Sequence, residues 1–357
     1  MGDTKPYTPR GKRSNIYMSS LKEQYDAIIK YVNTPDSELD IQYRGNYVNI
    51  YYLGGSLLKL SGRESIEFNK NYFHLPKKGD LRMTDIERLV HENYKAKILK
   101  SSILGKLPMD IIEQYRKDAL EKVSSLEKTR DEKINRLKSA AREVIPCILE
   151  EFKSDMRKWK DNLQEVGISK SSVNERVVQH YISLFNKEAN DDSDFIVIDL
   201  EYALSEKSDY CIPPNQKKPN AKQPRIDIIA IEKSSGQLYV MELKYGLDST
   251  EGKAGVKEHF EDFEKSVGHE DRWNHFWNDI NDLYLSQIND GLFSGNIKLK
   301  KAKPIFAFVL KPKNLDEVDA FKEILNKEGL DFVQTLFLPV ESANDKPQSD
   351  SFQLNQQ

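Results

Sequence analysis

Two short segments constrain the fold more than anything else in the chain: Pro224-Arg225-Ile226-Asp227-Ile228-Ile229 and Leu238-Tyr239-Val240-Met241-Glu242-Leu243-Lys244. Each has the composition of a β-strand, and Ser234-Ser235-Gly236 between them supplies turn chemistry, so the pair predicts a β-hairpin. Alternate side chains of a strand share a face, which puts Glu242 and Lys244 together with Leu238 and Val240 behind them. A hairpin brings Asp227 close to both from the partner strand. Three charged groups therefore converge at one end of strands that are otherwise apolar on both faces. Charge in such a place is unfavourable unless it is paired or holds a metal. The plainer alternative is the solvated end of an edge hairpin. Ile226, Ile228, Ile229, Val240, Met241 and Leu243 oppose it, because apolar residues on both faces argue for a central, buried hairpin.

The 357 residues are enough for two ordinary domains, or for one domain with a large extension. Charged residues make up 31% and hydrophobic residues 38%, a charge-rich chain with enough apolar material for a core. The net charge of −3 conceals an asymmetry: residues 81–170 carry 20 Lys/Arg against 16 Asp/Glu, and residues 248–292 carry 4 against 11. A nucleic-acid partner would have to meet local basic features, since the whole chain offers no positive field. Cys147 and Cys211 are too few and too far apart for a disulfide framework or a zinc site. Residues 1–20 are polar and basic without an apolar leader, and no stretch reaches the length of a membrane-spanning helix, which together predict a cytoplasmic protein.

Four regions follow from the pattern along the chain. Residues 1–80 predict an N-terminal module whose core is a β-meander, with turn signals at Gly45-Asn46, Gly54-Gly55 and Ser61-Gly62. Residues 81–170 predict a long helical, coiled-coil-like region: helices over Met83–Lys100 and from Met109 onward, with Ala119, Val123, Leu126, Ile134 and Leu137 at helical spacing. Residues 171–340 alternate helices and strands around the hairpin, and residues 341–357 predict a disordered tail. The fold class expected is α/β, a mixed sheet flanked by helices, preceded by the meander and the long helical region.

Asp227, fourteen intervening residues, then Glu242-x-Lys244, with Pro224 and Arg225 leading into the first strand, resembles the PD-(D/E)XK nuclease superfamily. The matching region runs from roughly 171 to 310. The resemblance implies a restriction-endonuclease-like fold and a metal-dependent nuclease, with DNA a more frequent substrate than RNA. It also implies a Mg²⁺ cofactor, with Mn²⁺ as a substitute of the same oxygen-ligand chemistry. Asp227 and Glu242 would be the carboxylate ligands and the Leu243 carbonyl a third donor, because hard divalent cations take oxygen. Lys244 would orient or deprotonate the attacking water. The superfamily often adds an acid from the first core helix, and Glu175 stands at the matching position.

Other candidates carry alternatives beside the functional one. Ser172-x-x-Glu175 is also a capping box, with Glu175 reaching back to a helix N-terminus. Asp199 and Glu201 share a strand face, and either is a rival acid. Arg225 would clamp a phosphate or pair with a neighbouring carboxylate. Lys217, Lys218 and Lys222 lie in the loop before Asp227, where a substrate backbone would pass, or are simply solvated. His259 and Asp262, three apart on a predicted helix, face the site or the surface. Tyr43, Tyr47, Tyr51 and Tyr52 stack bases or fill the meander's core.

The expected activity is hydrolysis of phosphodiester bonds by an endonuclease serving phage defence, restriction or repair. The alternative is a non-catalytic nucleic-acid-binding or interaction subunit of a larger complex that keeps the fold. Without a P-loop pattern, any translocation would come from a partner. The helical region offers a surface for a homodimer or for docking into such a complex.

Overall fold

The computed structural model describes residues 29–34, 37–43, 47–61, 65–67, 98–99, 107–108, 153, 170–188, 190–217, 222–248, 250–252, 255–340 and 352–355. The chain divides into two compact units, one within residues 16–170 and one from 171 onward.

In the first unit, β1 (Asp40–Tyr43), β2 (Tyr47–Tyr52), β3 (Gly55–Ser61) and β4 (Ser65–Glu67) form an antiparallel meander in chain order. Tyr52 pairs with Gly55, so β2 and β3 are joined by Leu53-Gly54 alone, with φ of 46° and 73°. Left-handed backbone at both central positions is what a two-residue hairpin turn requires, and Gly54 adopts it without a Cβ penalty. Tyr43, Tyr51 and Tyr52 are buried and Tyr47 half-buried, so the tyrosines weighed as base-stacking groups fill this sheet's core.

A two-residue pair, β5 (Ile98–Leu99) with β6 (Leu107–Pro108), stands where the sequence predicts the end of a helix. β-branched Ile98 tolerates the extended backbone well, and proline suits a strand with a free edge. The remainder of the long helical region lies outside the described residues, apart from Lys153 and Lys170. That lysine is buried, with its Nζ 3.4 Å from Glu38 and over the Tyr52 ring.

The second unit is a mixed five-stranded sheet between two helical layers. It contains α1 (Lys170–Phe185), β7 (Phe195–Ala203), β8 (Arg225–Glu232), β9 (Leu238–Tyr245), α2 (Val256–Lys265), α3 (Trp273–Asn289), β10 (Ile305–Lys311), α4 (Asp316–Lys327) and β11 (Gln334–Phe337). The strand order is β11-β10-β9-β8-β7. β7, β8 and β9 are antiparallel neighbours, while β10 lies parallel to both β9 and β11. The parallel pairs need crossovers, which α2 and α3 supply between β9 and β10, and α4 between β10 and β11.

Both faces of the sheet are buried, which explains the near-continuous apolar runs of β8 and β10. Leu238, Val240 and Phe308 pack with Phe263 of α2, Phe276 and Ile280 of α3, and Phe321 of α4. Tyr239, Met241 and Val309 pack on the opposite face with Val178 and Ile182 of α1. The hairpin is therefore central, as its composition predicts.

The tail corrects the sequence reading where it is described. Phe352 and Leu354 are buried in the α1-side core. Asn186 Nδ2 donates to the Phe352 carbonyl at 2.7 Å, and the Leu354 and Asp194 amides donate to Asn186 Oδ1 and the Leu354 carbonyl at 2.7 and 3.1 Å. Two apolar residues two apart are too short a signal to register as a period, yet they suffice once a hydrophobic surface and a bridging Asn await them. Residues 341–351 lie outside the described set. No helix among the described residues is long and apolar enough to cross a membrane.

Candidate active site

At its turn end the β8–β9 hairpin is regular, with Ile231, Ala230, Ile229 and Ile228 facing Leu238, Tyr239, Val240 and Met241. Beyond Ile228 and Met241 the ladder stops, and a side chain takes over: the Leu243 amide donates to Asp227 Oδ2 at 3.1 Å. Glu242 and Lys244 follow on the adjacent strand, with Lys244 Nζ donating to Glu242 Oε1 at 3.1 Å. Their residues are only 6% and 2% exposed. Such burial is tolerable because each charge answers the other. β10 closes the other side, with Phe308 beside Glu242 and Leu310 beside Lys244.

Glu175 reaches this cluster from α1. The helix starts at Lys170, so Ser172 lies inside its first turn and the capping-box reading of Ser172 and Glu175 does not hold. The Glu175 carboxyl is pushed up to about 7, first by burial and next by Asp227, with Lys244 and Arg176 pulling it down. Burial likewise pushes Asp227 up to about 6, against Lys244, the Leu243 amide and a hydrogen bond with Glu242. Glu242 is raised well above the carboxylate range by burial and then by Asp227, with Glu175 adding to it. Three carboxyl groups thus crowd one lysine, and each raises the energy of its neighbours' ionised forms.

Two participants were harder to foresee. His259 on α2 stands with Nε2 3.1 Å from Glu242 Oε1. The buried Phe263, one turn further along α2, is what anchors that helix over β9. Glu201 on β7 has φ of 47°, left-handed backbone in the middle of a strand. The register of β7 against β8 shifts between Val197 and Asp199, and Gln287 Nε2 of α3 donates to the Ile198 carbonyl within that bulge. Glu201 consequently faces the site, with Oε2 3.5 Å from Arg225 and Oε1 3.8 Å from Arg176. It also raises both Asp227 and Glu175. Its rival Asp199 is buried on β7 and accepts the Leu200 amide instead.

The loop before β8 is described only in part. Lys217 Nζ pairs with Glu206 of the same loop at 3.1 Å, Lys222 is exposed, and Lys218 lies outside the described residues. The loop itself is pinned: Tyr202 and Tyr210 both donate to buried Asp279 of α3, and Gln223 brackets the Ile212 backbone through its amide. Beside the cluster a small open cleft is lined by Val240, Phe263, Arg225, Glu242, His259 and Asp262. His259 and Asp262 thus both face the site side of α2.

Among the described residues no three His, Cys, Asp or Glu side chains form a ready-made metal site. Asp227 and Glu242 nevertheless suit a hard cation, being two mutually repelling oxygen donors, with the Leu243 backbone held against Asp227 through its amide. Mg²⁺ keeps several of its waters and needs few protein ligands, so this donor set fits it. No family model, curated protein or solved structure matches the chain.

Proposed function

We propose that the second unit is a Mg²⁺-dependent nuclease of the PD-(D/E)XK type, with a restriction-endonuclease-like fold, hydrolysing phosphodiester bonds in DNA ahead of RNA. One observation carries the reading: Asp227, Glu242 and Lys244 converge beside Glu175 at the open end of a central hairpin. Structural ion pairs rarely need three carboxyls around one lysine, and a divalent cation is the simplest relief for their repulsion. Asp227 and Glu242 would hold that ion, with the Leu243 carbonyl beside them. When bound, it supplies a Lewis acid for the phosphoryl oxygens and acidifies water.

The chain's own groups do the rest. Lys244 Nζ, fixed against Glu242 Oε1, orients the attacking water or a phosphoryl oxygen through its remaining donors. Glu175, raised to about 7, is divided between its two protonation states near neutrality and suits exchange of a proton with that water. Restriction, phage defence and repair all fit such an activity, as does work in a homodimer or a larger complex.

The test incubates wild type and Asp227→Ala with supercoiled, linear and single-stranded DNA and with RNA, in Mg²⁺, Mn²⁺ or EDTA. Cleavage that requires metal and vanishes in the variant supports the reading. Intact substrates throughout, with folded protein, sink it.

One observation favours a second reading, a non-catalytic binding module. Glu242 Oε1 is already approached by two nitrogens, Lys244 Nζ and His259 Nε2, both at 3.1 Å. A module of that kind would show no rise in melting temperature with Mg²⁺ or Mn²⁺, whereas a metal-binding site would.

A further inference from the structure

The least comfortable backbone near the site belongs to Glu201. A non-glycine residue with φ of 47° inside a strand is disfavoured, and such strain persists only where surrounding structure imposes it. Upstream of it the strand bulges between Val197 and Asp199, and Gln287 of α3 donates to the Ile198 carbonyl there. The strained residue is also a carboxylate, its side chain 17% exposed, and it spans guanidinium groups from two different elements. Arg176 comes from α1, one residue beyond Glu175, and Arg225 from the first position of β8, two residues before Asp227.

Charge and distance say what this triad suits. Two guanidinium groups drawn to one point repel each other, and a carboxylate between them removes that repulsion. The contacts of 3.5 and 3.8 Å are longer than hydrogen bonds, so Glu201 holds the pair by charge. Both arginine side chains keep substantial exposure, 38% and 56%. The triad's formal charge is +1, two guanidinium groups less one carboxylate, which complements a single phosphodiester. Guanidinium is also the side chain best matched to phosphate oxygens.

The geometry points to Arg176 and Arg225 as a phosphate fork for the nucleic-acid backbone next to the metal-binding carboxylates, with Glu201 as the positioning residue that draws the two together. This inference rests on the nuclease reading and extends it: the backbone phosphate is gripped by α1 and β8, whereas Lys217 of the preceding loop is paired with Glu206.

The experiment measures binding of a short labelled duplex and a single strand by fluorescence anisotropy over a salt series. Ca²⁺ replaces Mg²⁺ so that binding is read without cutting, and cleavage is assayed separately in Mg²⁺. Arg176→Ala and Arg225→Ala are each expected to weaken binding about tenfold and to lower the salt slope by about one. Glu201→Gln, which leaves both cations in place, is expected to raise KM several-fold with the salt slope unchanged. Glu201→Gly relieves the strained backbone, so it should melt no lower than wild type while binding as poorly as Glu201→Gln. If Glu201 only supports the fold, Glu201→Gly melts lower and binds like wild type, which overturns its role. Arginine variants that bind like a wild type able to cut DNA overturn the fork alone. A wild type that binds without cutting, while the arginine variants lose affinity, supports the fork and removes the nuclease reading. A wild type that binds no nucleic acid overturns both.

Discussion

The two ends of the β8–β9 hairpin obey different rules. At the turn end, apolar pairs from Ile228↔Met241 to Ile231↔Leu238 run in unbroken register, and Gly236 carries the one unusual backbone angle, a φ of 72° that glycine adopts freely. At the open end the ladder stops, a carboxylate replaces a backbone acceptor, three acids crowd a buried lysine, and Glu201 opposite takes a left-handed angle. One hairpin thus holds a stretch built for stability and a stretch that sacrifices some. Regular pairing at the first end supports the second, because a one-residue slip would exchange Ile229 and Ile231 with Ile228 and Ala230 between two cores packed for different side chains.

The sharpest way to break this comparison is to change Asp227. Asp227→Asn keeps the acceptor for the Leu243 amide but removes a charge from the crowd. Cleavage is expected to fall at least about a thousandfold, the order lost when a principal electrostatic contributor is removed. Measured without metal at neutral pH, the variant should nevertheless unfold at a higher denaturant concentration than wild type. A less stable variant would mean that the open end is a structural charge pair after all.

Gly236→Ala attacks the other end. A Cβ there would lie 2.0 Å from the Lys298 carbonyl oxygen, which is backbone and cannot step aside, and the φ of 72° adds its own strain. We expect a loss of about 3 kcal/mol on urea unfolding, from the clash and the left-handed angle together. The surviving folded protein should keep its kcat, because the turn lies at the opposite end of the strands from the acids. A variant of full stability would show that segment 298–300 does not brace the turn.

How far each end was legible follows from the same contrast. The hairpin, its neighbours and the central placement of both strands follow from local patterns: apolar runs, a turn signal, helical spacing in α2, α3 and α4. Asp227, Glu242 and Lys244 were legible because two-residue periodicity and one turn are enough to bring them together. Glu201 and His259 depend on non-local facts. A bulge in β7, stabilised by Gln287 some ninety positions away, turns Glu201 toward the site, and the crossing of α2 over β9 delivers His259. The reading of Ser172 and Glu175 as a cap failed because the motif needs a helix that starts at Ser172, and α1 starts at Lys170. The tail was misread because burial of Phe352 and Leu354 is decided by Asn186, far upstream.

A third prediction uses pH to separate the ends. Asp227 and Glu175 have folded values of about 6 and about 7, above their ordinary 3.8 and 4.5. Between those limits the folded state binds more protons than the unfolded one, so stability from these groups is present below about pH 4 and is lost as pH rises towards 7. Without metal, wild type should therefore lose on the order of 2 kcal/mol more than Asp227→Asn across that window. Mg²⁺ should restore it, most strongly at the alkaline side where the carboxylates are ionised. Parallel stability curves for the two proteins would remove the carboxyl crowd as the source of strain.

The smallest effect concerns His259. Its Nε2 lies 3.1 Å from Glu242 Oε1, the atom that Lys244 also reaches, so from α2 it helps fix the rotamer of the carboxylate proposed as a metal ligand. Hydrogen-bond partners of ligand carboxylates tune a site more than they make it, and His259→Ala should lower kcat roughly tenfold, about 1.4 kcal/mol in the barrier, with a higher Mg²⁺ requirement. His259→Gln decides what the imidazole does. An amide N–H can hold the carboxylate but cannot shuttle a proton, so recovery to within a few-fold of wild type marks a positioning role. Equal loss in both variants would make His259 a proton carrier, and the chemistry would then extend from the hairpin's open end onto the helix above it.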